Sequence, residues 1–299
     1  MKKVVVVGCG NVGLAYIGNL ISTKLVDEII LIDVNRDKIL GEVMDLNHSS
    51  VVYNSNIKVK AGTYKDCLTA DIVVITAGIN QEKNQTRMDL VNKNNTIVSS
   101  IVREVMNNGF DGIFIVATNP VDVMSYVVKK ESRLPSNRII GVGTLLDTER
   151  LKFLLNQKIN VSTENIHAYV LGEHGDSSFA VWSKSTIGMV PILDTVSKED
   201  LEAIEYEVKK LAYKIIEYKG YTNYGVGMCL HKITKAIVNN ENVVLNVSSY
   251  VDGIYISMPS VIGKEGVKGT MKIELDEEEQ EKFDYSKKVI QDAINSLEE

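Results

Sequence analysis

The feature that most constrains this chain is its start. Residues 4–7 are four consecutive valines, and they run directly into Gly8-Cys9-Gly10-Asn11-Val12-Gly13. A β-branched strand followed by G-x-G-x-x-G and a helical pattern makes a tight turn. The glycines let backbone N–H groups approach a pyrophosphate and let the helix pack closely on the strand. A second apolar run ends at Asp33, 20 residues past Gly13, where a carboxylate can accept hydrogen bonds from a ribose diol. The same carboxylate repels a 2′-phosphate, which favours NAD over NADP. Arg36, three residues on, tempers that preference slightly. Cys9 lies in the turn, where a helix N-terminus can activate a thiol. The simpler expectation is a small side chain filling a small space.

The rest of the first half keeps the rhythm set by the valines. Apolar runs at 29–32, 57–59, 72–75 and 113–116, with a weaker one at 138–140, alternate with segments long enough for crossover helices, such as 12–24 and 88–108. Continuous rather than alternating apolar runs are the pattern of strands buried on both faces, so residues 1–141 read as a doubly wound α/β domain. From 142 to 299 the order changes. A helix is expected near 144–157, with short strands around 166–172 and 179–183. Leu201, Ile204, Val208, Leu211, Ile215 and Tyr218 then recur at helical spacing behind a Ser197/Asp200 start. A helix near 224–239, strands at 243–250 and 254–259 joined through Asp252-Gly253, and an amphipathic helix opened by Asp276 complete the chain. With 299 residues, 44% of them hydrophobic, and no low-complexity linker, the two halves are expected to pack as one unit.

Charge narrows the function. The net charge is −6, the wrong sign for a nucleic-acid binder, and only six of the 33 basic residues are arginine, none after Arg150. Each arginine therefore invites a specific role, because its planar fork grips a carboxylate as lysine does not. Three scattered cysteines exclude a disulfide framework and a CxxC metal site, and the histidine spacings resemble no metal site. No apolar run has the length of a membrane span or signal peptide. A cytoplasmic protein with no membrane, nucleic-acid or metal partner is expected.

The chemistry concentrates in Leu171-Gly172-Glu173-His174-Gly175-Asp176-Ser177, where glycines flank a histidine after an apolar strand. His48, His167 and His231 read as structural by default. Upstream, Asp147 and Arg150 stand three apart at the start of a helix and so share a face, which by itself fits an ordinary ion pair as well as a site. Residues 77–87 form a polar stretch with the length and composition of a lid. Asn119-Pro120 follows a strand at the carboxyl edge of the sheet, where ligands bind in this architecture.

Taken in order, GCGNVG with Asp33, Thr76-Ala77-Gly78, a lid ending in Thr86-Arg87, Thr118-Asn119-Pro120-Val121-Asp122, Asp147-Thr148-Glu149-Arg150 and the Gly172–Ser177 segment resemble the L-lactate dehydrogenases of the lactate/malate dehydrogenase superfamily over nearly the whole length. That resemblance implies a Rossmann-type NAD-binding domain over 1–141 and a mixed α+β substrate-binding and catalytic domain over 142–299. It implies that His174 is the acid/base for pyruvate and lactate, and that Asp147 orients its ring. Arg150 would fork the substrate carboxylate, and Arg87 would be carried in by the lid to polarise the carbonyl. Asn119 would lie near the reacting oxygen, with a cis bond to Pro120, and Thr222 and Gln81 would border the substrate side chain. For NAD it implies Gly8, Gly10, Asn11, Val12, Gly13, Asp33, Lys38, Tyr64, Ala77, Gly78, Ala117 and Asn119.

Within the superfamily, specificity turns on position 81. Malate dehydrogenases carry an arginine there for the second carboxylate of oxaloacetate. Neutral Gln81 leaves such a carboxylate uncompensated, at a cost of about 3–5 kcal/mol. Malate or broader 2-hydroxy acid dehydrogenases are the alternatives within enzymes, and a non-catalytic NAD-binding protein is the alternative outside them. The latter should have lost Arg87, Asp147, Arg150 or His174, and all four stand. By alignment, the positions that bind fructose 1,6-bisphosphate in many bacterial relatives are Lys152 and His167. A homo-oligomer is expected, a tetramer ahead of a dimer.

Overall fold

Successive side chains of a strand point to opposite faces, so a strand without polar positions needs cover on both sides. That requirement organises the first half. The computed structural model describes residues 2–79 and 87–297, with the backbone alone at 87–89. Strands β1 (Lys3–Val7), β2 (Glu28–Ile32), β3 (Lys58–Ala61), β4 (Ile72–Ile75), β5 (Ile113–Val116) and β6 (Ile139–Gly141) alternate with helices α1 (Asn11–Thr23), α2 (Arg36–Val52), α3 (Arg87–Asn107) and α4 (Val121–Ser132). All six strands are parallel, in the spatial order β3-β2-β1-β4-β5-β6. This is the doubly wound arrangement the sequence predicts.

The alternation divides the core. Val5, Val7, Ile30, Val73, Ile75, Phe114 and Val116 pack with Val98 and Val102 of α3 and Met124 and Val128 of α4. Val4, Val6, Ile29, Leu31 and Val74 face the other way, onto Tyr16 and Leu20 of α1. Burying each such aliphatic stabilises the fold by about 1.5–3 kcal/mol, so a polar residue at either parity would be costly.

The second half comprises α5 (Leu145–Ile159), the two-residue strands β7 (Ile166–His167), β8 (Val170–Leu171), β9 (Phe179–Ala180), β10 (Thr186–Ile187) and β11 (Val190–Pro191), then α6 (Lys198–Lys219), α7 (Tyr224–Val238), β12 (Val243–Val251), β13 (Ile254–Gly263), β14 (Gly266–Thr270) and α8 (Glu277–Asn295). Its strands do not form a separate large sheet. β12 pairs antiparallel with β6 at Ser248 and Gly141, and β13 and β14 follow, so one nine-stranded sheet runs through both halves. Helix α7 covers it beside α1, with Tyr16 Oη and Thr234 Oγ1 2.7 Å apart in the shared core. Helix α8 covers the other face through Phe283 and Ile290. A smaller core joins Leu151 and Leu155 of α5 to Leu201 and Val208 of α6.

Most expected elements appear, with three differences. The single strand expected at 166–172 is two short ones in different sheets, because the Val170 N–H donates to Thr148 Oγ1 at 3.0 Å instead of extending one ladder. The strand expected at 179–183 ends at Ala180 and passes into a turn over Trp182–Lys184. β14 was not anticipated: with two glycines and one valine in five residues, this edge strand carries little apolar signal. The hairpin at Asp252-Gly253 has positive φ at both residues, 49° and 95°, as a two-residue type I′ turn requires.

Candidate active site

The strand order decides where the motifs meet. β5, β4, β1 and β2 are consecutive neighbours, so the segments leaving their carboxyl ends, 117–120, 76–79, 8–13 and Asp33, gather along one edge. At Gly8 φ is +97°, and a Cβ there would lie 2.2 Å from the backbone nitrogen of Ala77. At Gly13 a Cβ would lie 2.4 Å from the Gly8 carbonyl. Both positions therefore demand glycine for close packing. A Cβ at Gly10 would meet nothing within 4 Å, and Gly10 caps α1 without a side-chain bond. Open space thus lies over a helix start whose first N–H groups have no intrahelical acceptor, a cradle suited to a diphosphate.

Asp33 stands at the edge of this cradle. Its Oδ2 accepts the Cys9 N–H at 2.7 Å and its Oδ1 accepts the Asn35 N–H at 3.1 Å. Lys38 donates to the Cys9 carbonyl at 3.0 Å. Burial, reinforced by the Asp33 charge, pushes the Cys9 thiol up to about 12, so it stays neutral and fills space, as the simpler expectation held. Ala77, Tyr64 and Ala117 are partly buried against the two main cores, and Gly78 packs between Thr118 and Asn94. The donors, the open cradle and the acidic ribose acceptor fit NAD.

Beyond β6 the chain turns into α5, which presents Asp147 and Arg150 on one face, and the segment after β8 brings His174 to them. His174 Nδ1 lies 2.7 Å from Asp147 Oδ2, while Arg150 donates to Asp147 Oδ1 at 2.9 Å. A carboxylate only accepts, so Nδ1 carries the hydrogen and Nε2 is left to exchange a proton with a ligand. The His174 side chain is 27% exposed, against 10% for Asp147. Burial works against charge on both groups, but the pairing outweighs it. The imidazole and Arg150 hold the Asp147 carboxyl below its usual range. The charge and hydrogen bond of Asp147, with a further contribution from Asp122, raise the His174 imidazole above its usual value, and Arg150 opposes them.

Four elements outside the motif fix the histidine segment. Gly172 exchanges backbone hydrogen bonds with Ser257 of β13, at 3.3 and 3.1 Å. The Glu173 N–H donates to Ser286 Oγ of α8 at 2.7 Å, and the His174 N–H donates to Asp122 Oδ2 of α4 at 2.8 Å. Asn246 of β12 donates to Thr144 Oγ1 at the N-cap of α5 and to Thr148 Oγ1 of α5, at 2.8 and 3.1 Å, and to the carbonyl of Val170 in the strand that leads into the segment. Sequence reasoning assigned no role to Ser286, Ser257, Asn246 or Asp122, and only Asp122 lay inside a recognised motif.

The remaining expectations fall as follows. Asn119-Pro120 is cis, and Asn94 of α3 donates to the Asn119 carbonyl at 2.7 Å while pairing with both backbone groups of Ile79. Asn94, not singled out in the sequence, thus pins the start of the lid segment to the end of β5. Gln81 and most of the lid lie outside the described residues. Arg87 opens α3, and its side chain lies outside them too. Thr222 lies in the turn between α6 and α7, three residues before Gly225, where a Cβ would meet Leu146 of α5. Lys152 sits on α5 over the Tyr169 ring, 5.7 Å from its centroid, and His167 is exposed on β7, which packs against α5.

Comparison with known proteins gives matches over both halves of the fold. Residues 2–141 match the family model of the lactate/malate dehydrogenase NAD binding domain, and residues 144–299 match that of its alpha/beta C-terminal domain. An L-lactate dehydrogenase of Geobacillus sp. (strain WCH70) is 47% identical over 307 residues, covering 99% of this chain and 96% of that protein. One from Borrelia hermsii (strain HS1 / DAH) is 45% identical over 311 residues, covering 99% and 98%. Among solved structures, a lactate dehydrogenase from a Medee basin deep-sea metagenome library is similar with a TM-score of 0.97 at 43% identity, over 100% of this chain and 99% of that one. The ligand-bound minor L-lactate dehydrogenase of Enterococcus mundtii gives 0.96 at 41%, over 99% and 98%. With both family models matched in order and relatives 45% to 47% identical over nearly the whole chain, the chain belongs to the lactate/malate dehydrogenase family.

Proposed function

We propose that this protein is an NAD-dependent L-lactate dehydrogenase, interconverting pyruvate and (S)-lactate. The observation that carries the reading is the hydrogen-bonded chain from His174 through Asp147 to Arg150. When bound, NADH supplies a hydride to the carbonyl carbon of pyruvate, and NAD+ accepts one from lactate. The roles of this chain's own residues follow from their chemistry. Arg150 uses one donor on Asp147 and offers the rest of its planar fork to the substrate carboxylate. His174 Nε2 gives a proton to the oxygen that gains charge in reduction and takes it back from the hydroxyl in oxidation. Asp147 keeps Nδ1 protonated and stabilises the imidazolium between those events. Arg87, by its residue type and its place in the family motif, would stabilise the developing negative charge. Asn119 and Thr222 border the substrate, and Gln81 leaves no charge partner for a second carboxylate, so a short neutral side chain is preferred.

The decisive assay is pyruvate-dependent oxidation of NADH. The parent protein should show it and His174→Ala should lose it while still binding NADH. Undiminished turnover in that variant would overturn the assignment.

We further read the protein as a homo-oligomer, a tetramer ahead of a dimer. Exposed apolar side chains sharing a helix face support this: Leu40, Met44 and Val51 on α2, and Tyr206, Tyr213 and Ile216 on α6. A monomer in sedimentation would refute it. No described helix is long and apolar enough to cross a membrane. Three buried free thiols suit a reducing compartment such as the cytoplasm, which activity confined to another fraction would contradict.

A further inference from the structure

Helix α8 meets the histidine segment through a polar side chain. Ser286 stands on the face that carries Phe283 and Ile290 into the core, and it is fully buried there. A hydroxyl so placed lowers stability unless its hydrogen bonds are made. The bonds it makes go to the segment that holds His174. The Glu173 N–H, just before the histidine, donates to Ser286 Oγ at 2.7 Å. Ser177, three residues after the histidine, presents its Oγ at 2.9 Å and its carbonyl at 3.3 Å. The Ser177 hydroxyl itself donates to Glu173 Oε2 at 2.5 Å, so its oxygen accepts and Ser286 supplies the hydrogen. Ser286 therefore accepts on one side of His174 and donates on the other, which requires a hydroxyl.

This grip begins where the support from the sheet ends. Asn246 and Ser257 tie Val170 and Gly172 to the β12–β13 hairpin and to the start of α5. Beyond Gly172 the backbone is held from outside the segment at His174 by Asp122, and on both sides of it by Ser286. Helix and segment fit with little slack: φ at Gly172 is +94°, and a Cβ there would lie 2.5 Å from Ser286 Oγ. From this backbone the imidazole reaches across to α5, with Nδ1 2.7 Å from Asp147 Oδ2. The length of that bond depends on how firmly residues 173 and 177 are held.

We infer that Ser286 is a positioning residue: from α8 it clamps the backbone on both sides of His174 and so keeps Nδ1 on Asp147, the alignment that proton transfer to pyruvate requires. The inference rests on His174 being the acid/base.

The test is a double-mutant cycle of Ser286→Ala with Asp147→Ala, read as kcat/KM for pyruvate per NADH-binding site, the sites being counted by fluorescence titration. Counting sites keeps any loss of folded protein out of the rate. A misplacement of about 1 Å costs about a hundredfold, so the partial slip left by Ser286→Ala should cost about tenfold, with NADH affinity unchanged. In the Asp147→Ala background the same change should cost no more than about twofold, because no bond is left for the clamp to align. Ser286→Cys fills the space with a weaker donor and acceptor and should lose rate in the same pattern. Losses that multiply across the two backgrounds would show Ser286 acting on something other than the pair and overturn the inference. So would parental kcat/KM in Ser286→Ala, or failure of both Ser286→Ala and Ser286→Cys to yield folded, NADH-binding protein. Activity retained in His174→Ala would instead remove the reading on which the inference stands.

Discussion

Replacing Asp147 by Asn tests the core of the mechanism, because it removes one charge from between two cations with almost no change in shape. The charge centres of an imidazolium and a carboxylate sharing a 2.7 Å hydrogen bond lie about 4 Å apart, an attraction of about 4 kcal/mol at an effective dielectric of 20. The asparagine oxygen retains a hydrogen bond and Arg150 relaxes. The net effect should therefore be a fall of about one to three units in the His174 pKa. Pyruvate reduction needs the imidazolium, so its activity is present below that pKa and lost as pH rises through it. The limb must move to acid by the same amount.

For a two-unit shift, kcat/KM at neutral pH falls about tenfold if the transition state carries half the imidazolium charge and about a hundredfold if it carries all of it. Lactate oxidation must fall by the same factor at a given pH if coenzyme affinities are unchanged, because an enzyme cannot alter the equilibrium. The pH limb, rather than any asymmetry between directions, is therefore the diagnostic. The assay is initial rate against pH in both directions, with NADH binding measured by fluorescence to confirm that the cradle is intact. A variant with reduced kcat/KM but its limb at the parental position would refute the electrostatic role and leave Asp147 a mere orienting group.

Two further outcomes follow from the same chemistry. Gln81→Arg supplies the missing partner for a second carboxylate and should raise kcat/KM for oxaloacetate relative to pyruvate by about a hundredfold or more; an unchanged ratio of the two would sink the specificity argument. His231 of α7 lies 2.8 Å from Thr23 Oγ1 of α1, and burial lowers its pKa below 6.5. The folded protein resists a proton that the unfolded chain accepts, so stability should fall as pH drops below about 6.5. His174, with its raised pKa, works with the opposite sign, losing its contribution as pH rises. Urea midpoints between pH 5 and 6.5 should therefore fall less steeply in His231→Gln than in the parent, and parallel curves would exclude His231 as a source of the slope.

The first half of the fold was legible because its signals are local. A strand buried on both faces must be apolar at every position, as residues 4–7, 72–75 and 113–116 are, and a backbone that meets another backbone must be glycine, as Gly8 and Gly13 are. His174 could also be picked out between its flanking glycines, whereas Asp147 and Arg150, which read alone fit an ordinary helical ion pair, were singled out through the family resemblance. The edge strand at 266–270 escaped notice, because an edge needs little apolar content and two glycines erase what remains.

Only the tertiary structure decided who meets whom. The His174–Asp147 bond joins residues 27 apart, the Asp122 bond to the histidine backbone spans 52, and the Ser248 bond to Asp122 spans 126. No spacing rule links such positions, because they are brought together by strand order and by antiparallel addition of β12 to β6. The same pairing merges two halves of different rhythm into one sheet. The sequence by itself determined which residues had to be buried, which had to be glycine and which carried reactive groups. The long-range hydrogen bonding of the folded chain decided that a second buried carboxylate stands behind the histidine, since a lone Asp after Pro-Val shows neither its burial nor its partners until the sheet is assembled.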